Sequence, residues 1–207
     1  MRNIIIIAAA LFIAGCASMK PQSFPMRPVG SLTQVSGEIE QFNRSFQGTS
    51  CYTGTLNILW YSVPMMLIVR TEGNTLIAYA TTVNGMSFYN VRYTRGESAK
   101  VTVSDIIPAQ AKRLIFNTFH KDLERIFMMD SLTPVNTITP IRLYDENTVV
   151  QYSASPLHIT SKKCGSFPHR KWEVSYYNWF ADVNAFGAIK YKNYDRHFTL
   201  NLSNCNQ

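Results

Sequence analysis

From Val29 onward the chain alternates apolar and polar positions in short runs separated by turn residues, the period-two signature of strands with one buried face. Thr55 to Trp60 is the first β-rich run, and Pro64, which has no amide hydrogen to give a ladder, places a bulge or a strand start just beyond it. Met65 to Arg70 then meets the turn cluster Thr71-Glu72-Gly73-Asn74, and Thr75 to Thr82 leaves it. Asn84-Gly85 tolerates the positive φ of a tight turn. Phe88 to Tyr93, a turn at Arg95-Gly96-Glu97, and Lys100 to Val103 complete a predicted antiparallel meander.

The period then changes. Leu114, Ile115, Phe119, Leu123, Ile126 and Phe127 follow the spacing of one buried helical face, while Lys112, Lys121, Asp122, Glu124 and Arg125 mostly populate the other side. Pro108 suits the first turn of this helix, Ser104 or Asp105 is placed to cap it, and Pro134 and Pro140 end it. Such a helix lies on a sheet by one face. His120 falls at the boundary of that face. Strands return at Ile141 to Tyr144, Thr148 to Tyr152 and Leu157 to Thr160, and Lys171 to Tyr176 places Trp172, Val174 and Tyr176 on one side. Ala188 to Lys192 turns at Asn193-Tyr194-Asp195 into His197 to Leu202, where Phe198 and Leu200 share a face. Glu38 and Glu40, alternating with Ile39, read as a solvated strand face. No internal repeat or second domain is visible.

The N-terminus changes the setting. Met1-Arg2-Asn3 precedes an unbroken apolar run from Ile4 to Ala14. As a helix that run spans roughly 16 Å, too short for a hydrocarbon core of about 30 Å. Charge, run and small-residue exit are those of a secretory leader, and Ile13-Ala14-Gly15-Cys16 resembles a bacterial lipobox. The expectation is a signal peptide over residues 1–15, a Cys16 carrying diacylglycerol on its sulfur and an acylated amine, an extended proline-containing tether over 16–29, and one domain over 30–207. Ala17 rather than Asp follows Cys16, so the inner-membrane retention signal of such lipoproteins is missing, and the resemblance implies an outer-membrane location, lipid-anchored and facing the periplasm. With two or three acyl chains, attachment is effectively permanent.

Charge and chemistry follow from that setting. Twenty Lys and Arg against 13 Asp and Glu give a net charge of +7, which would otherwise point to nucleic acid; an exported chain has none to meet. The basic groups gather at Lys162-Lys163, His169-Arg170-Lys171 and Lys190, Lys192 and Arg196. They suit anionic lipid headgroups or an envelope protein partner docked on a basic face. Cys51, Cys164 and Cys205 allow one disulfide with one thiol spare, and spacing leaves all three pairings open. There is no CxxC, and His120, His158, His169 and His197 have no ligand spacing, so no metal is expected. GxSxG, HExxH, P-loop and dinucleotide-turn motifs are all missing, so neither catalytic residues nor a cofactor is expected.

Three stretches carry a resemblance: the lipobox Cys16 with its short tether, Leu76-Ile77-Ala78-Tyr79-Ala80-Thr81-Thr82-Val83-Asn84-Gly85-Met86-Ser87-Phe88-Tyr89, and Ile189-Lys190-Tyr191-Lys192-Asn193-Tyr194-Asp195-Arg196-His197-Phe198-Thr199-Leu200. Together they resemble the LolB outer-membrane lipoproteins and, more closely, the lipoproteins called domain of unknown function 3261. The resemblance implies an α+β fold, mainly antiparallel, as a half-open LolA/LolB-like β-barrel covered by one or more helices. Its interior would accept a lipid or acylated ligand. It also implies a membrane-delivery turn at Val83, Asn84 and Gly85, although Val83 stands where a larger apolar residue is usual and Thr82 where Pro is. An acyl cavity needs a concave, apolar sheet face that its own side chains leave open. The candidate liners are Leu67, Val69, Ile77, Tyr79, Phe88, Val91, Trp172, Val174, Tyr176, Phe198 and Leu200; the alternative is that they form a closed core.

Overall fold

The structure, a computed structural model, describes residues 40–58, 61–129, 148–154, 157–165 and 169–205. The leader, Cys16 and its tether, Glu38, the prolines Pro134 and Pro140 expected to end the helix, and the strand expected at Ile141 to Tyr144 lie outside the described residues.

Ten strands form one antiparallel sheet: β1 (Gly48–Ile58), β2 (Tyr61–Glu72), β3 (Thr75–Thr82), β4 (Ser87–Thr94), β5 (Lys100–Val103), β6 (Thr148–Ala154), β7 (Leu157–Cys164), β8 (Trp172–Phe180), β9 (Ala185–Asn193) and β10 (Phe198–Asn204). Their order is β5-β4-β3-β2-β1-β10-β9-β8-β7-β6. Two five-stranded meanders therefore meet at a seam between the first strand and the last, and the sheet stays open with β5 and β6 at its edges. This is the half-open antiparallel architecture expected from the sequence. Helix α1 covers residues 40–45, α2 is Ala109–Leu114, and α3 is Phe119–Phe127, joined to α2 by the 3-10 turn Phe116–Thr118. Glu40, expected in a strand, lies in α1 and pairs with Arg44 one turn on.

The seam is tight. Gly54 pairs with Leu202, and a Cβ on Gly54 would stand 2.0 Å from the Asn201 carbonyl oxygen, so the backbones approach as only glycine allows. Cys51 and Cys205 are disulfide-bonded across the same seam, and Cys164 is a buried free thiol. Pro64 sits inside β2 but beyond its last pairing with β3, Met65 with Thr82, where no β3 partner awaits its missing donor.

One face of the sheet is covered by the helices. The expected single helix is broken at Ile115 (φ −122°, ψ −58°). The break shifts the phase: Phe116 turns into the core and Leu114, expected inside, is 62% exposed. Asp105, a candidate cap, instead pairs with Lys112 at 2.6 Å, and α2 has no side-chain cap. In β3 the inward residues are Leu76, Ala78 and Ala80, so Ile77 and Tyr79, expected among the liners, lie on the outer face opposite Arg92 and Asn90. The reason is space. Ala80 pairs with Tyr89 and Leu67, and the Tyr89 ring covers the inner face against Phe116 and Phe119. A register shift between Ala80 and Thr81 marks a bulge that lets consecutive Phe88 and Tyr89 both point inward.

Candidate functional site: a filled inner face and an apolar sheet end

Leu67, Val69, Phe88, Val91, Trp172, Val174, Tyr176, Phe198 and Leu200 are brought together on the inner face, all buried. What covers them comes from the helices: Ile115, Phe116, Phe119, Leu123, Ile126 and Phe127, together with Phe42 and Phe46 from the α1 segment. Rings interlock along this layer, Phe88 with Phe116 at 5.9 Å, Phe119 with Phe198 at 6.1 Å, and Tyr176 with Phe186 at 4.8 Å, distances at which aromatic pairs attract. Among the described residues the face is therefore a packed core. Two cavities, of about 380 and 390 Å³, open at its margin on either side of α1.

Two charged groups lie inside this core. Asp122, expected on the solvated side of its helix, is fully buried. Its carboxylate accepts from the Tyr191 hydroxyl at 2.5 Å, Asn193 at 3.1 Å, Arg125 at 3.0 Å and Arg196. Arg196 also reaches the Ile115 carbonyl at 3.2 Å and the Thr118 hydroxyl at 2.6 Å, so the β9–β10 turn holds the start of α3. Burial, then the neighbouring Asp122 charge, drives the Tyr191 hydroxyl far above the usual phenol range. Lys162 is equally buried, with Nζ donating to the Met128 and Ile126 carbonyls at 3.2 and 3.4 Å, where the helix end concentrates negative potential. The ring of Phe42 lies 4.8 Å from that ammonium. His120, expected at a half-exposed boundary, is buried against Tyr93, 5.1 Å ring to ring, and its Nδ1 has no partner. Burial, then Lys121, lowers its pKa below the ordinary imidazole value.

These placements break up the expected basic face. Lys162 is interior, Arg196 is tied to Asp122, and Arg170 pairs with Glu173 at 2.7 Å. Lys171, Lys190 and Lys192 remain exposed.

Four of the exposed apolar groups fall together: Val83 and Tyr61 are each 72% exposed, Met86 54% and Ile106 52%, whereas Val183, 65% exposed, lies in the β8–β9 turn at the opposite end. The register puts all four at one end of the sheet. The β3–β4 turn carries Val83 and Met86, β2 starts there with Tyr61, and Ile106 follows the end of β5, whose neighbour Ser104 bonds the Phe88 carbonyl. The turn is a type I turn closed by a left-handed glycine rather than a two-residue loop: the Gly85 amide donates to the Thr82 carbonyl at 2.9 Å, and Gly85 alone in it has positive φ (82°). The Thr82 hydroxyl accepts from the Met86 amide at 3.2 Å, a bond a Pro there would lack, and Val83 stands at the tip. Lys112, Arg113, Arg170, Lys171 and Lys192 lie toward the same end and outnumber its acids Asp105, Glu173 and Asp195. Sequence reasoning missed Tyr61, Met86 and Ile106. Their signal was an apolar residue inside an otherwise polar turn or strand end.

Among the described residues no helix is long and apolar enough to cross a membrane, and no three His, Cys, Asp or Glu side chains gather as a metal site would need. Neither a known family model nor a curated protein matches the sequence. Among solved structures, the chain is similar to a domain from Vibrio parahaemolyticus provisionally described as an outer membrane lipoprotein-sorting protein. Identity is 9%, coverage is 81% of this chain and 89% of that one, and the TM-score is 0.41. So distant a likeness carries no functional weight; the geometry of the sheet end does.

Proposed function

We propose that the protein is a non-catalytic, outer-membrane-anchored lipoprotein that binds a lipid or acylated ligand and hands it on at the membrane surface, as its resemblance to the LolB lipoproteins implies. The observation that carries this reading is the gathering of Val83, Met86, Tyr61 and Ile106, all more than half exposed, at one end of the sheet. Apolar groups on a sheet end with a small excess of cations suit a bilayer surface: the tips enter the acyl region, and each unpaired cation near anionic headgroups contributes about 1 kcal/mol. A lipidated Cys16 would keep that surface close, since the 24 residues from Cys16 to Glu40 reach at most about 80 Å when extended.

The test uses the mature chain from residue 16 with Cys16→Ser, so that the anchor does not mask the domain. It should float with phosphatidylethanolamine–phosphatidylglycerol vesicles, and Val83→Glu with Met86→Glu should lower the partition at least about tenfold, because two carboxylates would have to enter the interface. Equal flotation of the two proteins refutes the role of this end. Failure to bind any fluorescent fatty acid refutes the ligand.

A further inference from the structure

The sheet has an open edge at β5, and the register tells which of its backbone groups are unused. Val103 lies opposite Tyr89, Thr102 opposite Asn90, Val101 opposite Val91 and Lys100 opposite Arg92. One residue further on, the Ser104 amide donates to the Phe88 carbonyl at 3.0 Å. In an antiparallel ladder every second residue turns its backbone toward a given neighbour, so Thr102 and Lys100, in step with Ser104, bond β4. Val101 and Val103 turn theirs the other way. Their N–H and C=O groups form a row along the open edge, and among the described residues nothing pairs with that row.

The side chains along the edge are of two kinds. On the inner face Val101 and Val103 are only partly buried, as are Tyr93, Ala99, Ile107 and Ala111 near them in the chain and the sheet. Helix α2 leads from the end of β5 to Phe116, whose ring packs on Phe88 of β4; it has no fully buried residue and ends in the exposed Leu114. The core is thinly covered along this margin, and an apolar shoulder lies beside the free backbone row. On the outer face Lys100 and Arg92 stand directly opposite each other, both exposed, and among the described residues neither has an anionic partner. Like charges placed so repel. Ser98 to Ser104 carries no carboxylate, and Asp105 just beyond is taken by Lys112 at 2.6 Å. Shortness and a lysine are ordinary guards of a sheet edge. The guard here is selective. A second copy of β5 would crowd more cations onto this strip and supply no anion, whereas an acidic strand would relieve the repulsion.

We infer that the β5 edge is a docking site for an extended peptide segment of another protein, one that alternates acidic with small apolar residues and adds a further strand to the sheet. Its backbone bonds the free groups of Val101 and Val103. Its apolar side chains cover the shoulder beside those valines, and its carboxylates reach Lys100 and Arg92. Main-chain bonds supply the affinity of such an added strand and the alternating side chains its specificity. This docking requires nothing of the lipid-binding reading.

The experiment uses the mature Cys16→Ser chain and two short, end-capped fluorescent peptides, one alternating glutamate with valine and the other lysine with valine. Fluorescence anisotropy should show the glutamate peptide binding at least about fivefold more tightly, the yield of two such charge contacts. Lys100→Glu together with Arg92→Glu should reverse the order of the two peptides, a result that loss of folding cannot produce. Amide hydrogen exchange gives the backbone signature: the glutamate peptide should slow Val101 and Val103, while Lys100 and Thr102, already bonded to β4, change little. Val101→Pro, which takes a donor from the open side and none from the ladder, should weaken both peptides. If the glutamate peptide does not bind at about 1 mM, or binds with no charge preference and no slowing at Val101 and Val103, the docking site is refuted. If those two amides are already slow in the free protein, the edge is occupied. A sedimentation mass that rises with concentration then assigns it to a second copy, and a constant one to another segment of this chain; either overturns the proposal.

Discussion

Replacing Cys51 and Cys205 with serine removes a cross-link between residues 154 apart in the chain, joined where the first and last strands meet. In the folded state little else changes, because the ladder from Tyr52–Asn204 to Ile58–Phe198 still holds the seam. The effect falls on the unfolded chain, which regains the freedom that a closed loop of that length denies it. Loop-closure entropy puts the loss of stability near 5 kcal/mol at 25 °C. For a chain of this size that corresponds to a fall in melting temperature of about 10–20 °C. Equilibrium urea unfolding of the oxidised protein and of the double serine variant, read by tryptophan fluorescence, measures it. The midpoint should fall sharply, and the slope should rise because the unlinked chain exposes more surface. A difference under about 1.5 kcal/mol with an unchanged slope would refute the reasoning, since the unfolded chain would then be compact without the bond.

Asp122→Asn keeps the shape of the buried carboxylate but leaves Arg196 and Arg125 without their counter-charge, and should cost about 3 kcal/mol by urea unfolding; both guanidinium groups keep some solvent, which places the loss toward the low end for a broken buried pair. Gly54→Ala puts a methyl against the Asn201 carbonyl at the seam and should cost at least about 3 kcal/mol, read as a lowered melting temperature or a failure to accumulate folded protein. On the acid side, His120 titrates lower folded than unfolded, so stability present above pH 6.5 drains away as pH falls through the folded value. His120→Gln should flatten that limb of a melting-temperature profile. On the alkaline side, burial raises Tyr52 to about 12 and Tyr89 and Tyr191 higher still, so stability is whole below pH 10 and is lost as pH rises through those values.

The alternation of β2, β8 and β10 was readable because each strand has one wet face and one dry one. Leu67, Val69, Trp172, Val174, Tyr176, Phe198 and Leu200 follow from it directly. β3 was not readable the same way, because Leu76-Ile77-Ala78-Tyr79 is apolar on both faces. Its register is decided by the Tyr89 ring, which leaves room inside for alanine and turns Ile77 and Tyr79 out. Asp122 reads as a surface residue until its partners are known, and Tyr191, Asn193 and Arg196 lie 69 to 74 residues away in the chain. Tyr61, Met86 and Ile106 escaped for a related reason: an apolar residue at a turn or a strand end has no periodicity to announce it.

The seam between β1 and β10 also sets the timing of folding. A chain that emerges N-terminus first can build β1 to β5 early, but the inner edge of that half-sheet stays bare until the last seven-residue strand arrives. Contacts between such distant residues make for slow assembly, and a bare strand edge invites pairing with other chains meanwhile. Oxidation meets the same order of arrival. Cys164 emerges before Cys205 and offers Cys51 a wrong partner, so an early disulfide would have to be reshuffled before the sheet could close.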